Sequence, residues 1–188
     1  MDIVSTQQRQ KIHPHKFTLW VAIGSILMMF AGLTSAYIVK RNQANWEGVE
    51  TPSAFWLSTA TIVASSITMH LALRAFRQRE MRRYRSLLIV TLVLGLAFVA
   101  LQYVGFRWLW DHGVQFRGAG AGQFLYVIAG LHAVHVLGGV VALAVVFGRA
   151  FLGRSKNYNV VPVEVMATYW HFVDVLWLYL LVFFVWIG

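Results

Sequence analysis

Cysteine is absent from the 188 residues of this chain, and only seven residues are acidic. Without thiols the chain has no disulfide framework and no thiolate metal site, so the sequence predicts no bound metal through sulfur. Charged residues make up 12% of the chain, while hydrophobic residues make up 59%. A soluble domain carries about 25% charged residues. The composition therefore predicts a polytopic membrane protein with a single bundle of helices.

Five apolar runs are long enough to cross a bilayer, which takes about 20 helical residues. An α-helix satisfies the hydrogen-bonding groups of the backbone within hydrocarbon. The runs lack the alternation of polar and apolar residues that is typical of barrel strands. We therefore expect an all-α fold with a polar N-terminal segment over residues 1–16 and one transmembrane domain over residues 17–188. The predicted helices cover about residues 17–39, 54–76, 86–108, 122–147 and 164–187.

The net charge of +9 comes from residues that lie mostly between the apolar runs. Twelve of the 16 Lys and Arg residues belong to the N-terminus and to the second and fourth connections. This bias predicts a cytoplasmic N-terminus and a C-terminus outside. Because the membrane topology explains where the Lys and Arg residues lie, the sequence predicts no nucleic-acid partner.

The second connection is an arginine cluster that has two interpretations. It sets topology and attracts anionic headgroups, or it is a docking surface for an acidic partner. Under the first interpretation we expect lipid or headgroup contacts from Arg74, Arg77, Arg82, Arg83, His70, Trp56 and Trp177.

The last apolar run carries polar residues where hydrocarbon is expected. Glu164, Thr168, His171 and Asp174 follow one another at steps of four, three and three, so they lie close to one helix face. A charge near the bilayer centre costs about 2.5–3.5 kcal/mol on insertion scales, so such a residue needs a partner and a function.

Further polar residues lie at similar depth in two other predicted helices. His132 and His135 are three residues apart in the fourth helix, and Gln102 lies in the third. The depths suggest the hypothesis that His132 or His135 meets Asp174 across a helix contact. We predict a structural buried polar network that comprises Glu164, His171, Asp174, His132, His135 and Gln102. Haem or metal ligation and a proton relay are the alternatives for the histidines.

No catalytic set is apparent, because the sequence shows no nucleophile elbow, phosphate loop or carboxylate pair. An independent electron carrier with bis-histidine haem is one alternative function. A small transporter that uses Asp174 as its coupling acid is another. Such transporters often have broken helices and paired halves, and neither pattern is present here.

Several segments together resemble subunit III of the haem-copper oxidases, the cytochrome c oxidase type. The first is Phe30-Ala-Gly-Leu-Thr-Ser-Ala-Tyr37, and the second is Leu94-Gly-Leu-Ala-Phe98 followed by Gln102. The most specific are Gly130-Leu-His132-Ala-Val-His135-Val-Leu-Gly138 and Tyr169-Trp-His-Phe-Val-Asp174. The resemblance runs from about residue 17 to the end of the sequence, and the chain looks like the short five-helix bacterial form.

The resemblance implies a non-catalytic accessory subunit of a terminal oxidase in the bacterial cytoplasmic membrane. Such a subunit packs on subunit I, has subunit II and small subunits as further neighbours, binds phospholipid, and supports durability and proton uptake. The haem and copper that reduce oxygen are held by partner subunits. A quinol oxidase subunit III and the accessory homologue of nitric oxide reductase are the alternatives within the family.

Two positions depart from the family pattern. Where the first helix of the family often carries a membrane-embedded glutamate, this chain has Ser25-Ile26-Leu27. Gly105 stands where the third helix often has another glutamate. The resemblance therefore implies the structural role of an accessory subunit here. The chain has no acid at these two places to assist proton uptake.

Overall fold

The computed structural model describes residues 14–41, 52–113, 121–152 and 159–187. These residues form five helices, α1 (Pro14–Arg41), α2 (Ser53–Arg77), α3 (Met81–Asp111), α4 (Ala121–Leu152) and α5 (Val161–Ile187), and they include no strand. Each helix is long and apolar enough to span a membrane. The predicted all-α fold with five spans is therefore confirmed.

The helices extend beyond the apolar runs. The helix α3 begins at Met81 and passes through Arg82, Arg83 and Arg85 before its apolar part, and α4 continues past Arg149. Long basic side chains can lie along the helix while their charged ends reach water, so the first charge does not end the helix. Of the predicted N-terminal segment, residues 1–13 lie outside the described residues, and α1 has begun by Pro14.

Four of the helices form a ring. Over the described ranges, close backbone contacts join α2 to α3, α3 to α4, α4 to α5 and α5 to α2, with none across either diagonal. The helix α1 lies outside this ring and contacts α4 and α5 only. This arrangement leaves grooves on both sides of α1.

The α2–α3 pair is the most extensively packed and follows a heptad pattern. Its buried positions alternate at steps of four and three, a spacing that gives a continuous seam between two helices. Small residues let the backbones approach closely. The seam consists of Ser58, Ile62, Ser65, Met69 and Ala72 in α2 and of Leu88, Thr91, Gly95, Phe98, Gln102, Gly105 and Leu109 in α3.

Candidate functional site

Two tryptophans of α5 attach this helix to α2. Trp170 and Trp177 are each 1% exposed. The indole Nε1–H of Trp170 donates to Ser65 Oγ at 3.1 Å, and that of Trp177 donates to Thr59 Oγ1 at 3.0 Å. A buried indole N–H needs an acceptor, so the hydroxyl groups of α2 fix the position and rotation of α5.

His171 and Asp174 both meet the same hydroxyl group. His171 Nδ1 lies 2.5 Å from Ser66 Oγ, and the Asp174 carboxyl interacts with this hydroxyl as well. Asp174 is 4% exposed, and its Oδ2 atom has no hydrogen-bond partner among the described residues. The His171 ring also lies beside that of His70, with 6.2 Å between the centroids. The predicted polar face of α5 therefore meets α2.

The two histidines of α4 lie elsewhere in the bundle. The ring of His132 is 2% exposed and stacks on Trp177 at 5.4 Å, and neither ring nitrogen has a partner within the described ranges. His135 Nδ1 lies 2.7 Å from the Leu131 carbonyl oxygen in the same helix. Within the described part of the chain, no hydrogen bond joins Asp174 to either histidine. The hypothesised pairing of Asp174 with His132 or His135 is thus not formed among the described residues.

Gln102 belongs to the α2–α3 seam. Its Nε2–H donates to Ser58 Oγ at 3.1 Å, and Ser58 in turn donates to the Phe55 carbonyl oxygen at 2.9 Å. Gln102 Oε1 is buried without a partner among the described residues. Gln102 thus joins α3 to α2 through Ser58. It shares none of these contacts with Glu164, another predicted member of the polar network.

Glu164 forms an ionic contact between three helices. Its Oε2 lies 2.7 Å from Lys16 Nζ of α1, and its Oε1 accepts a hydrogen bond from Arg77 Nη2 of α2 at 2.7 Å. The side chain of Glu164 is 18% exposed, so this contact is partly sheltered. We call these three residues the ionic clamp. Glu164 therefore bridges α1, α2 and α5 at one end of the bundle and lies apart from the buried polar groups.

The residues predicted to contact lipid occupy different environments. Arg74, Arg82, Arg83, His70 and Trp56 are exposed at the helix surfaces. Arg77 is also exposed but is engaged in the ionic clamp. Trp177 lies in the core instead of facing lipid, because its indole fills the space between α2, α3 and α4, against Phe55, Phe98 and His132.

The hydroxyl residues of α2 are the part of the site that sequence reasoning missed. Ser58, Thr59, Ser65 and Ser66 accept or share hydrogen bonds from α3 and α5. Thr68 Oγ1 lies 2.9 Å from Thr91 Oγ1, which adds another α2–α3 contact. The signal was present in the sequence, because α2 contains seven Ser and Thr residues and is the least hydropathic of the five spans.

These contacts define a class of protein: a helical membrane bundle whose buried polar groups join helices to one another. Among the described residues, no group of three His, Asp or Glu side chains is placed to hold a metal ion. Serine, threonine and tryptophan provide most of the interhelical hydrogen bonds, and such bonds stabilise helix packing in lipid by about 0.6 kcal/mol each on average.

Comparison with known proteins identifies the family. The family described as cytochrome c oxidase subunit III matches residues 16–188. The chain is 31% identical to a probable cytochrome c oxidase subunit 3 of Nocardia farcinica, over 90% of this chain and 89% of that protein. It is 31% identical to the protein of the same name from Mycobacterium bovis, over 84% of this chain and 80% of that one. For the cytochrome c oxidase subunit 3 of Corynebacterium diphtheriae the identity is 28%, over 88% of each chain.

The chain belongs to the cytochrome c oxidase subunit III family. It is an accessory subunit of a haem-copper oxidase and is part of a cytochrome c oxidase complex with other subunits. It is a multi-pass membrane protein of the respiratory chain. This result agrees with the resemblance found in the sequence and favours it over an independent haem carrier or a transporter.

Proposed function

We propose that this subunit packs on subunit I, near subunit II and small subunits, and stabilises the oxidase by holding phospholipid beside α5. The membrane is the bacterial cytoplasmic membrane, with the N-terminus in the cytoplasm. The Lys and Arg bias supports this orientation, and the relatives compared above come from bacteria. Haem and copper belong to the partner subunits in this proposal.

The observation that carries the lipid-binding proposal is a groove between α1 and α5. It has a volume of about 610 Å³, within the range of small-molecule sites, and its walls are almost entirely apolar. Leu27 and Ala31 of α1 form one wall, and Phe172 and Val175 of α5 form the other. Tyr179 of α5 donates to Thr34 Oγ1 of α1 at 3.1 Å and holds the two walls together. We infer that an acyl chain occupies this groove.

A second groove of about 680 Å³ lies on the other side of α1, between α1, α4 and α5. On the α4 side, the small residues Gly138 and Ala142 leave room in the groove. His15 and Arg149 lie at its polar end. We infer that a second acyl chain lies here with its headgroup near these two basic side chains. Lipid on both sides would support α1, which makes few protein contacts of its own.

Support for proton uptake is the finer part of the proposal. His171 lines the groove between α1 and α5 and lies beside the exposed His70. His171 is the imidazole that lines this groove, and His70 lies beside it, whereas Ser25-Ile26-Leu27 and Gly105 provide no acid. We infer that these two imidazoles, and no helix-embedded glutamate, would assist proton entry.

The test is to purify the oxidase from native membranes through a tag on this chain. Haem and copper should accompany the partner subunits and disappear when these are stripped away. Ala31→Trp should fill the groove between α1 and α5, reduce the phospholipid retained per complex, and shorten the period of active turnover. Ala100→Trp, at an exposed site on α3, is the matched control. Equal lipid content in both variants would refute the lipid site, and haem bound stoichiometrically to the isolated chain would refute the accessory role.

A further inference from the structure

A small polar cavity lies at the turn between α2 and α3, away from both grooves beside α1. It has a volume of about 260 Å³ and is lined by Arg74, Gln78 and Arg83, with Leu71 and Ala75 as the apolar part of its wall. Two guanidinium groups and one amide, from two helices, therefore line one concave site. We call it the arginine cradle.

Arginines outnumber acidic residues around the arginine cradle. Residues 74–85 contain six arginines and one acid, Glu80. Glu164 pairs with Arg77, and Glu80 meets Arg83 in an exposed contact at 3.3 Å. Within the described residues Arg74 has no ion-pair partner. Two like charges that share a cavity repel each other, so an anion between them would be stabilised.

The backbone fixes the relative positions of the lining residues. Arg74 and Gln78 are one helical turn apart at the end of α2. Arg79 has a positive φ of 61°, and the N–H of Glu80 donates to the Ala75 carbonyl oxygen at 3.0 Å, which closes the turn tightly. Arg83 then lies in the first turn of α3, where the helix dipole favours negative charge. The cradle is thus preorganised by a short, hydrogen-bonded connection.

We propose that the arginine cradle binds a phosphate group. The planar fork of guanidinium matches the oxygen atoms of phosphate and donates two parallel hydrogen bonds, and the Gln78 amide adds a further donor. The turn joins two membrane spans, so it lies at the level of the lipid headgroups. The phosphate therefore comes from an anionic phospholipid or from a free phosphate ion in the cytoplasm. The site is independent of both grooves and goes beyond the function proposed above.

The experiment uses the intact oxidase in vesicles of phosphatidylcholine, with and without phosphatidylglycerol. Phosphatidylglycerol that remains after exchange into pure phosphatidylcholine is counted, and binding of inorganic phosphate is measured by equilibrium dialysis. The double variant Arg74→Gln/Arg83→Gln should lose about tenfold or more in affinity for whichever phosphate source binds. Arg107→Gln is the control, because Arg107 is exposed at the opposite end of α3.

Each outcome decides the proposal. Retained phosphatidylglycerol that the native and Arg107→Gln complexes keep and the double variant loses supports the site with lipid as its source. Saturable binding of inorganic phosphate that the double variant loses supports it with a soluble source. If the double variant fails to assemble, Arg74→Lys/Arg83→Lys is used instead. It keeps the charges but removes the planar guanidinium groups, and we expect the affinity for phosphate to fall a few-fold. Equal binding by native, variant and control complexes overturns the proposal. Lipid in the two grooves contributes equally to all complexes, so the difference between native and double variant reports on the arginine cradle.

Discussion

Helices α1 and α5 have 28 and 27 residues, but α5 buries twelve of them and α1 only four. The backbone of α5 lies close to α1, α2 and α4, and Trp177 also packs against Phe98 of α3. The two core tryptophans are hydrogen-bonded to α2. The helix α1 contacts α4 and α5 alone. The free energy changes little when apolar surface moves from lipid to a protein contact, so packing and polar contacts decide where each helix lies. The comparison teaches that α5 is fixed along its length, whereas α1 is held at a few points.

A few contacts among the described residues hold α1, and one of them is the edge-on packing of Phe30 against His135 of α4 at 5.9 Å. Lys16 belongs to the ionic clamp at one end, and Thr34 accepts a hydrogen bond from Tyr179 further along. Near the other end, Tyr37 packs edge-on against Phe183 at 5.1 Å. Between these points the two grooves flank α1. Changes in α5 should therefore affect the whole subunit, and changes at the contacts of α1 should affect one helix.

The largest effect is expected from Trp170→Ala. The indole lies over Gly95 and Gly139, which leave room for it, and its loss opens a cavity and leaves Ser65 with one bond fewer. We expect a loss of about 3–5 kcal/mol in stability, measured as the temperature at which the subunit leaves the detergent-solubilised oxidase. Trp186→Ala removes a side chain that is 82% exposed and is the control. Equal losses in both variants would contradict the special position of the α5 core.

Asp174→Leu should have the next largest effect. The site is 4% exposed, so a branched side chain must fit into packed surroundings and Ser66 loses its acidic neighbour. We expect a loss of about 1–3 kcal/mol, seen as poorer assembly or faster decay during turnover. Asp111→Leu, at an exposed carboxyl group on α3, should have little effect on either measurement. A variant with normal stability but sharply reduced initial turnover would contradict the structural role of Asp174.

Glu164→Gln should loosen α1 without unfolding the subunit. The change leaves Lys16 and Arg77 without their shared carboxylate and costs about 1 kcal/mol, because the ion pairs are partly exposed. The natural chain has no cysteine, so Leu19→Cys and Val165→Cys can carry spin labels on α1 and α5. The distance distribution between the labels should broaden in Glu164→Gln and stay narrow in Glu80→Gln. An unchanged distribution in both variants would show that the clamp does not position α1.

The smallest effects are expected from two double-mutant cycles. Ser66→Ala with His171→Phe should show a coupling of about 0.5–1.5 kcal/mol, because these side chains are hydrogen-bonded. His135→Phe with Asp174→Asn should be additive within about 0.5 kcal/mol, because no described contact joins the two side chains. Thermal dissociation of the subunit measures both cycles. Strong coupling in the second cycle would restore the pairing that helix depth had suggested.

The sequence predicted the number and class of the helices, because apolar runs are counted directly from the residues. It also predicted a polar face on α5 from the spacing of Glu164, His171 and Asp174. It could not predict the partners of that face. The helix α5 is apolar almost all round, so periodicity does not distinguish its lipid side from its core side. The sequence therefore does not show that Trp177 lies in the core.

Two further features depend on tertiary contacts that no local pattern contains. The partners of Glu164 come from α1 and α2, so the sequence indicates Lys16 as a topology signal and Arg77 as a topology signal or a lipid contact, and it does not indicate either as an ion-pair partner. Serine and threonine can bond to their own helix as well as to another one, so the seven hydroxyl residues of α2 indicate polar contacts without indicating which helix provides the partners. Thr61, for example, donates to the Leu57 carbonyl oxygen within α2, whereas Ser65 donates to the Thr91 carbonyl oxygen of α3.

The hydroxyl groups of α2 also have a consequence for biosynthesis. Their partners lie in α3 and, for Thr59, Ser65 and Ser66, in α5, which follows α2, α3 and α4 in the chain. When α2 enters the membrane, these partners have not yet been translated. The contacts of α2 with α5 therefore form only after three further helices have been made, and the helix that carries the most hydroxyl groups enters the membrane before these partners exist.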